Sequence, residues 1–399
     1  MKKTKITRLI MLNQMAGPLF RELAEDLAPL YKDGCVLMTG HPDTLQYQLS
    51  EKSKLSIKAG PVYNRASKLR RVQSWLSYLM ASTSHILSAK SGDAILLVSN
   101  PPLLGPWIWM LSRFKPIPYG VLIYDIHPEV LIRLGVLAER GLIVKMWRFF
   151  NKVVNEDAHL IVTIGRRMAN VLSAQKSFNA KKVVVVPPWV DVKKIVPIDR
   201  VKNPFAREIP EIKDQTIVLY SGNMGASHDI DSMLAAAKIL QNDRTILFIF
   251  IGDGDKHNDI KSFIQENELG NILLLPFQPE SNIKYSLPVA DISLVSLDQG
   301  MEDLMVPSKS FYYLAAGSAL IAIANQDSEL SDLLGQHNCG LLVSPAKPLK
   351  LVEAIKRLAS SSEELEVMKK TARTLAETKY ARNICVSQFS EHLRQAHLL

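Results

Sequence analysis

Residues 302–324 read EDLMVPSKSFYYLAAGSALIAIA, and this stretch organises the chain. A polar loop leads into Val306-Pro307-Ser308-Lys309. Pro307 suits the first turn of a helix, where its missing N–H costs nothing. Ser308 is placed to cap free donors. Ser310 to Ala316 is compatible with helix, and Gly317 stands where a left-handed C-cap belongs. Leu320 to Ala324 then reads as a buried strand. A helix start with Lys309 one turn in is a ready anion site. A capped surface helix whose lysine faces water has the same local pattern, so the rest of the chain decides.

With 399 residues, the chain is long enough for two domains of ordinary size. Its 47% hydrophobic content excludes wholesale disorder. Cys35, Cys339 and Cys385 are widely spaced and form no CxxC or metal pattern, which points to a reducing compartment without a disulfide frame. The net charge of +9 is unevenly divided. Residues 1–200 hold 29 Lys and Arg against 14 Asp and Glu, and residues 201–399 hold 19 against 25, so +15 faces −6. A basic half beside an acidic half suggests that the first meets something anionic. No aromatic-interleaved RNA-binding motif or zinc finger is visible, which favours a membrane surface over nucleic acid. Met1-Lys2-Lys3-Thr4-Lys5 imitates a signal peptide, but Arg8 interrupts the apolar run from Ile6 to Leu12, which reads instead as a first strand. The longest apolar run, Pro101 to Leu111, is too short to span a bilayer core of about 30 Å. A soluble or peripheral protein is expected.

The first half alternates strand and helix. Strands are expected at Thr7–Asn13, Gly34–Thr39, Ala94–Ser99, Pro118–Tyr124, Leu160–Ile164 and Val183–Val186, with helices at Pro18–Leu27, Asn64–Met80, Leu103–Phe114, Trp147–Val154 and Arg166–Leu172. Continuous apolar strands such as Ala94–Ser99 are what a parallel sheet covered on both faces requires. In Asn64–Met80 the residues Leu69, Val72, Leu76 and Leu79 share one face beside Lys68, Arg70 and Arg71. That pattern fits a helix lying on anionic lipid and equally one packed on a core. The proline-rich Pro187–Gln215, with Pro197, Pro204 and Pro210, reads as a linker. The pattern then restarts: strands at Thr216–Tyr220, Ile246–Ile251, Ile272–Pro276, Ile292–Ser296 and Gly340–Val343, with helices at Ile230–Leu240 and Asp259–Asn267. The helices Leu349–Leu358 and Glu363–Leu393 close the chain. The fold class is therefore α/β, with two Rossmann-like doubly wound domains whose ligands bind at the carboxyl edge of the strands. The expected division is 1–190, 191–380 and a terminal helix 381–399 packing back toward the first domain.

Three turns of the second half are expected at one sheet edge: Gly222–Gly225, Gly252–Lys256 and Val306–Lys309. Glycines let backbone N–H groups approach a ligand, helix starts add positive potential, and Lys256 and Lys309 add two charges. Together they suit a diphosphate. In the first half, His127 follows a strand end and faces the ligand edge, where a hydrogen-bonded structural histidine is the competing reading.

These residues resemble a known family. Tyr220-Ser221-Gly222-Asn223-Met224-Gly225, Phe250-Ile251-Gly252-Asp253-Gly254, Ala290-Asp291, Val306-Pro307-Ser308-Lys309 and Leu314-Ala315-Ala316-Gly317 are similar to motifs of GT-B fold glycosyltransferases close to glycosyltransferase family 4. In the first half, Tyr124-Asp125-Ile126-His127-Pro128-Glu129 with Leu134-Gly135, and Pro188-Trp189-Val190-Asp191, carry the likeness. The Pro-Ser-Lys form resembles enzymes that build bacterial surface polysaccharides (O-antigen, capsule, exopolysaccharide) on a lipid carrier. The resemblance implies a nucleotide-sugar donor, a UDP-sugar by preference, held in the second domain by Gly222, Asn223, Gly225, Gly252, Asp253, Gly254, Lys256, Pro307, Ser308, Lys309 and Tyr312, with Phe277 and Pro279 near the base. It implies Gly17 and Glu129 as acceptor contacts, and Asp125, His127, Lys256 and Lys309 as catalytic groups. Transfer would retain the anomeric configuration, onto an undecaprenyl-diphosphate-linked saccharide at the cytoplasmic membrane face. Asp253-Gly254-Asp255 imitates a metal motif, but GT-B enzymes generally use no metal, and neither metal nor cofactor is expected.

One departure stands out. The family usually carries two glutamates at a fixed spacing before the helix-ending glycine. At those positions stand Leu304 and Tyr312, with Glu302 two residues out of register. A tyrosine hydroxyl makes one hydrogen bond but not the bidentate contact of a carboxylate with ribose. Two competing readings follow: a non-catalytic partner protein of the same fold, and a nucleotide-sugar epimerase, for which the second-half loops supply few carboxylates.

Overall fold

The computed structural model describes residues 5–64, 66–175, 179–209, 212, 214–225, 228–297 and 300–399. Met1 to Thr4 and the linker residue Pro210 lie outside the described residues. Met1–Pro187 with Cys385–Leu399 form one compact unit, and Pro188–Ile384 form another.

Seven strands build the sheet of the first unit: β1 (Arg8–Leu12), β2 (Cys35–Thr39), β3 (Leu55–Ala59), β4 (Asp93–Val98), β5 (Tyr119–Ile123), β6 (Leu160–Thr163) and β7 (Val183–Val185). Their order is β3-β2-β1-β4-β5-β6-β7, and every neighbouring pair is parallel. All six residues of β4 are buried, as a central strand covered on both faces must be. At the amino end of this strand pair, Arg8 grips Asp93 with two bonds, Nε to Oδ1 at 3.0 Å and Nη2 to Oδ2 at 2.5 Å. The chain's last residues belong to this unit, where the Tyr31 hydroxyl donates to the carbonyl of Leu398 at 2.7 Å.

The second unit holds β8 (Thr216–Asn223), β9 (Ile246–Asp253), β10 (Ile272–Leu275), β11 (Ile292–Ser296), β12 (Ala319–Ile323) and β13 (Gly340–Val343). The order is β10-β9-β8-β11-β12-β13, again parallel throughout. Alternate residues feed two cores, one on each face. Ile217, Leu219, Leu247 and Ile249 join one cluster, while Val218, Tyr220, Phe248 and Phe250 join the other. Each such side chain contributes about 1.5–3 kcal/mol on burial, so a one-residue slip of register would exchange the two cores entirely. The strand order reverses between β1 and β4 and between β8 and β11, the places where parallel sheets of this kind leave a crevice for ligands.

Several elements differ from the sequence reading. β3 was not anticipated: only Leu55 of this edge strand is buried, so it lacks the apolar run of its neighbours. The expected Trp147–Val154 helix runs from Leu142 to Asp157, and Asn64–Met80 is replaced by Lys68–Leu87. The expected Glu363–Leu393 helix is two, Ser362–Lys379 and Arg382–Gln395. The break falls where Val190 bridges Ala381, donating to the Tyr380 carbonyl and accepting from the Arg382 N–H, both at 3.0 Å. Within the proline-rich stretch, Pro204–Arg207 forms a helical turn capped by Asn203. Pro307 lies before the Lys309–Ala316 helix rather than in its first turn, and Ser308 makes no side-chain cap; Ser310 instead donates to the Pro307 carbonyl at 2.7 Å. Gly317 adopts the left-handed C-cap, with φ of +74°. The three cysteines are free and buried, and burial pushes the Cys35 and Cys385 thiols up to about 12.

β8 and β9 reach beyond their apolar residues. Their pairing continues through Gly222 with Gly252 and Asn223 with Asp253. Gly252 has φ of +149°, and a Cβ there would stand 1.9 Å from the Gly222 carbonyl oxygen. Gly252→Ala should therefore destabilise the protein by at least about 2 kcal/mol. The measurement is the urea midpoint, which should fall with little change in slope.

Candidate functional site

Glycine turns at the ends of β8 and β9 form the floor of the site in the second unit. Met224 N–H donates to the Asp253 carbonyl at 2.8 Å, and Lys256 N–H returns to the Met224 carbonyl at 3.0 Å. Gly254 (φ +144°) passes so close that a Cβ would meet the Met224 backbone at 2.7 Å. The two turns are thus one knitted surface, and only glycine permits the approach.

Lys309 enters this surface from the start of its helix. Its ammonium donates to the Tyr220 hydroxyl at 2.9 Å and lies 4.1 Å from the centre of the Tyr220 ring. A side chain on Gly222 would touch Lys309 Nζ at 3.6 Å, which fixes the ammonium beside that turn. Tyr220 is fully buried, so the cation rests on a rigid aromatic platform. The same hydroxyl reaches the Asn223 carbonyl (2.8 Å) and His228 Nδ1 (2.9 Å). From the next turn of the helix, the Tyr313 hydroxyl accepts from Ser221 N–H (2.8 Å) and bonds its carbonyl (2.9 Å). Two tyrosines therefore lock the Lys309 helix to the end of β8.

In the first unit, Asp125, His127 and Glu129 follow β5. Asn151 Nδ2 donates to the His127 carbonyl at 2.7 Å, and the Trp147 ring lies 5.8 Å from the imidazole, tilted by 33°. His127 Nδ1 is buried without a hydrogen-bond partner among the described residues. Asp125, His127, Trp147, Asn151, Asn155 and Gln175 are among the residues lining a cavity of about 50 Å³ behind this loop. Burial holds the His127 imidazole below its ordinary 6.5, partly offset by the neighbouring Asp125 carboxylate, and burial raises Asp125 above its ordinary 3.8. His127 is therefore neutral at pH 7, a hydrogen-bonding group rather than a cation.

Comparison with known proteins bears on both units. Residues 202–375 match the family model for glycosyl transferases group 1. The probable glycosyltransferase WbjE of Pseudomonas aeruginosa is 26% identical over 306 residues, covering 77% of this chain and 75% of that protein. Over that stretch the chain is similar to group 1 glycosyltransferases. The putative colanic acid biosynthesis glycosyl transferase WcaI of Escherichia coli (strain K12) is 23% identical over 294 residues, 71% of each chain. Among solved structures, the sucrose-phosphate synthase (tll1590) of Thermosynechococcus elongatus superposes with a TM-score of 0.77 at 16% identity over 98% of both chains. Anabaena Alr3699/HepE, in complex with UDP and glucose, gives 0.73 at 14% identity over 98% of this chain and 100% of that one. At such identities the likeness speaks for the fold alone, and that fold is GT-B.

Gly222, Asn223, Gly225, Gly252, Asp253 and Gly254 share the knitted turns, with Lys309 beside them. Lys256 lies in the same loop and caps the His257–Glu266 helix, but its ammonium pairs with Asp231 at 2.7 Å. Phe277, 66% exposed, follows β10, and Pro279 starts the Glu280–Ser286 helix. Ser308 is exposed, while Tyr312 is half-buried against the core. Leu304 is wholly buried, and the Glu302 carboxylate accepts from Gly300 N–H (2.9 Å) and Asn325 Nδ2 (2.6 Å). Glu129 is held by Arg148 at 3.0 Å. Gly17 caps the Pro18–Leu27 helix at the end of β1, and a side chain there would lie 4.0 Å from His41.

The supporting residues Tyr220, Tyr313, His228, Trp147 and Asn151 were not singled out as site groups. Tyr220 and Tyr313 read as core aromatics, which they also are; the one hint is that Tyr220 stands two residues before the Gly222 turn. Trp147 and Asn151 lie one helical turn apart on an inward face, a spacing that equally serves ordinary packing.

Burial of the His127 imidazole makes stability depend on pH. Between its folded midpoint and 6.5 the unfolded chain binds more protons, so the stability this group contributes is complete above 6.5 and lost as pH falls. In an NMR titration its ring signals should move with a midpoint below 6.5. Asp125→Asn should lower that midpoint further, since it removes the carboxylate that favours the imidazolium.

Proposed function

We propose that this chain is a retaining glycosyltransferase. It moves a sugar from a UDP-sugar, bound at the knitted turns of the second unit, to a lipid-linked saccharide in bacterial surface polysaccharide synthesis. The observation that carries this reading is the Lys309 ammonium, held on Tyr220 beside the Gly222 turn at the start of a helix. Backbone N–H groups, a helix N-terminus and one oriented cation are the components that bind a diphosphate without a metal. As the glycosidic bond breaks, the leaving diphosphate gains negative charge, and fixed donors of this kind are worth roughly 3–4 kcal/mol each. Phe277, exposed after β10, supplies a face for the uracil ring. Lys256 stands in the same loop, and donor phosphate competes there with Asp231 for its ammonium.

The first unit binds the acceptor, with Gly17 and Glu129 as contacts. Neutral His127, flanked by Asp125, hydrogen-bonds a sugar hydroxyl and is oriented by Asn151 and Trp147. The named context of WcaI, colanic acid biosynthesis, and the UDP complexes of Alr3699/HepE support a polysaccharide product and a uridine donor. A lipid carrier for the acceptor implies work at the inner membrane face, with the protein peripheral to it.

A thermal-shift screen of nucleotide sugars identifies base and sugar together, and NMR of the product reads the anomeric configuration. Lys309→Ala should cut kcat/KM by about 10²–10³ with the fold intact. Inverted product would overturn the retaining mechanism. No binding of any nucleotide diphosphate would favour the non-catalytic partner protein, a reading that Leu304 in the core and Tyr312 at the second glutamate position already motivate.

A further inference from the structure

Three helices of the first unit pack side by side: Lys68–Leu87, Leu104–Ser112 and Leu142–Asp157. The middle one touches both others. Trp107 Nε1 donates to Thr83 Oγ1 at 2.9 Å, Lys115 reaches the Leu87 carbonyl, and Arg113 pairs with Asp157. Their outer surface is unusually apolar. Among the described residues 22 large hydrophobic side chains are exposed, and 12 of them lie on these helices or at their ends. Leu69, Val72, Leu76 and Met80 form a stripe along one face of the first helix, with Leu69 68% exposed. On the third, Leu142, Met146 and Phe149 form another, with Leu142 72% exposed.

Chemistry of the flanks identifies the occupant. The segments 68–87, 104–115 and 142–157 contain eight Lys and Arg against two acids, Glu156 and Asp157. They also hold Trp75, Trp107 and Trp109, besides the inward-facing Trp147. Exposed aliphatic stripes, basic flanks and amphipathic aromatic rings mark a surface that lies within a lipid headgroup layer. A second copy of the same face would oppose +6 to +6, which disfavours self-association. No helix among the described residues is long and apolar enough to cross a membrane, so the layer lies in plane.

We propose that this three-helix layer is the face by which the protein binds an anionic bilayer. The proposal deepens the reading of a lipid-linked acceptor and rests on it for its purpose. The Leu142–Asp157 helix presents Met146 and Phe149 outward, while its inner face supplies the Trp147 ring and the Asn151 amide that hold His127. One helix thereby carries both the membrane contact and the cradle of the candidate acceptor residue.

Sedimentation with vesicles of phosphatidylglycerol and phosphatidylcholine, against pure phosphatidylcholine, tests it on the full chain. Wild type should bind the anionic vesicles more tightly, lose binding as salt rises, and show a blue shift of tryptophan emission. Arg70→Glu/Arg71→Glu and Leu76→Glu/Met146→Glu should each weaken partition by at least about tenfold, with unchanged circular dichroism. Val367→Glu, an exposed site of the second unit, should bind like wild type. Equal binding to both lipids, wild-type binding by both double variants, or a concentration-dependent dimer dissolved by Leu76→Glu/Met146→Glu would overturn it. Vesicle binding needs neither donor nor acceptor. Its failure would remove the surface and leave the transferase reading standing, whereas intact vesicle binding without transfer would do the reverse.

Discussion

Backbone contact between Gly222 and Gly252 is the constraint on which the second unit's chemistry depends. The β8–β9 ladder does not stop where the apolar residues stop but carries the turns with it. Two loops that would otherwise move separately become a single rigid surface of N–H groups. Tyr220, buried under that surface, then holds Lys309 in place, and Tyr313 ties the same helix to Ser221. A cation held in this way does not need to reorganise when charge arrives, and that is how fixed donors stabilise a leaving group more than flexible ones.

The first unit uses a different device. Its loop after β5 is positioned by a neighbouring helix, through the Asn151 amide on the His127 carbonyl and the Trp147 ring beside the imidazole. Burial keeps His127 uncharged, and among the described residues its Nδ1 has no hydrogen-bond partner. A neutral imidazole with an unsatisfied ring nitrogen is suited to recognising a hydroxyl group, which both donates and accepts.

Alternation of buried strands and helices was legible in the sequence because parallel strands covered on both faces are continuous apolar runs, and Pro18–Leu27 was placed at its true bounds. What escaped was whatever apolar periodicity does not encode. β3 sits at an edge and needs few apolar residues. The Leu142 helix begins with residues that face outward, so its first turn spoils an inward stripe. The break after Lys379 is imposed by Val190, remote in sequence. Among the candidate site residues, glycines and Lys309 announce themselves by type and spacing. The pairing of Lys256 with Asp231, and of Glu129 with Arg148, depends on side-chain reach between separate helices, which no local pattern reveals.

Phe277 stands outside the ladder that constrains its neighbours. It follows β10 and is 66% exposed. On the donor reading, replacements there would alter which nucleobase is welcomed while the diphosphate grip stays as it is. On that reading the rim of the site is free to vary while the scaffold beneath it is not.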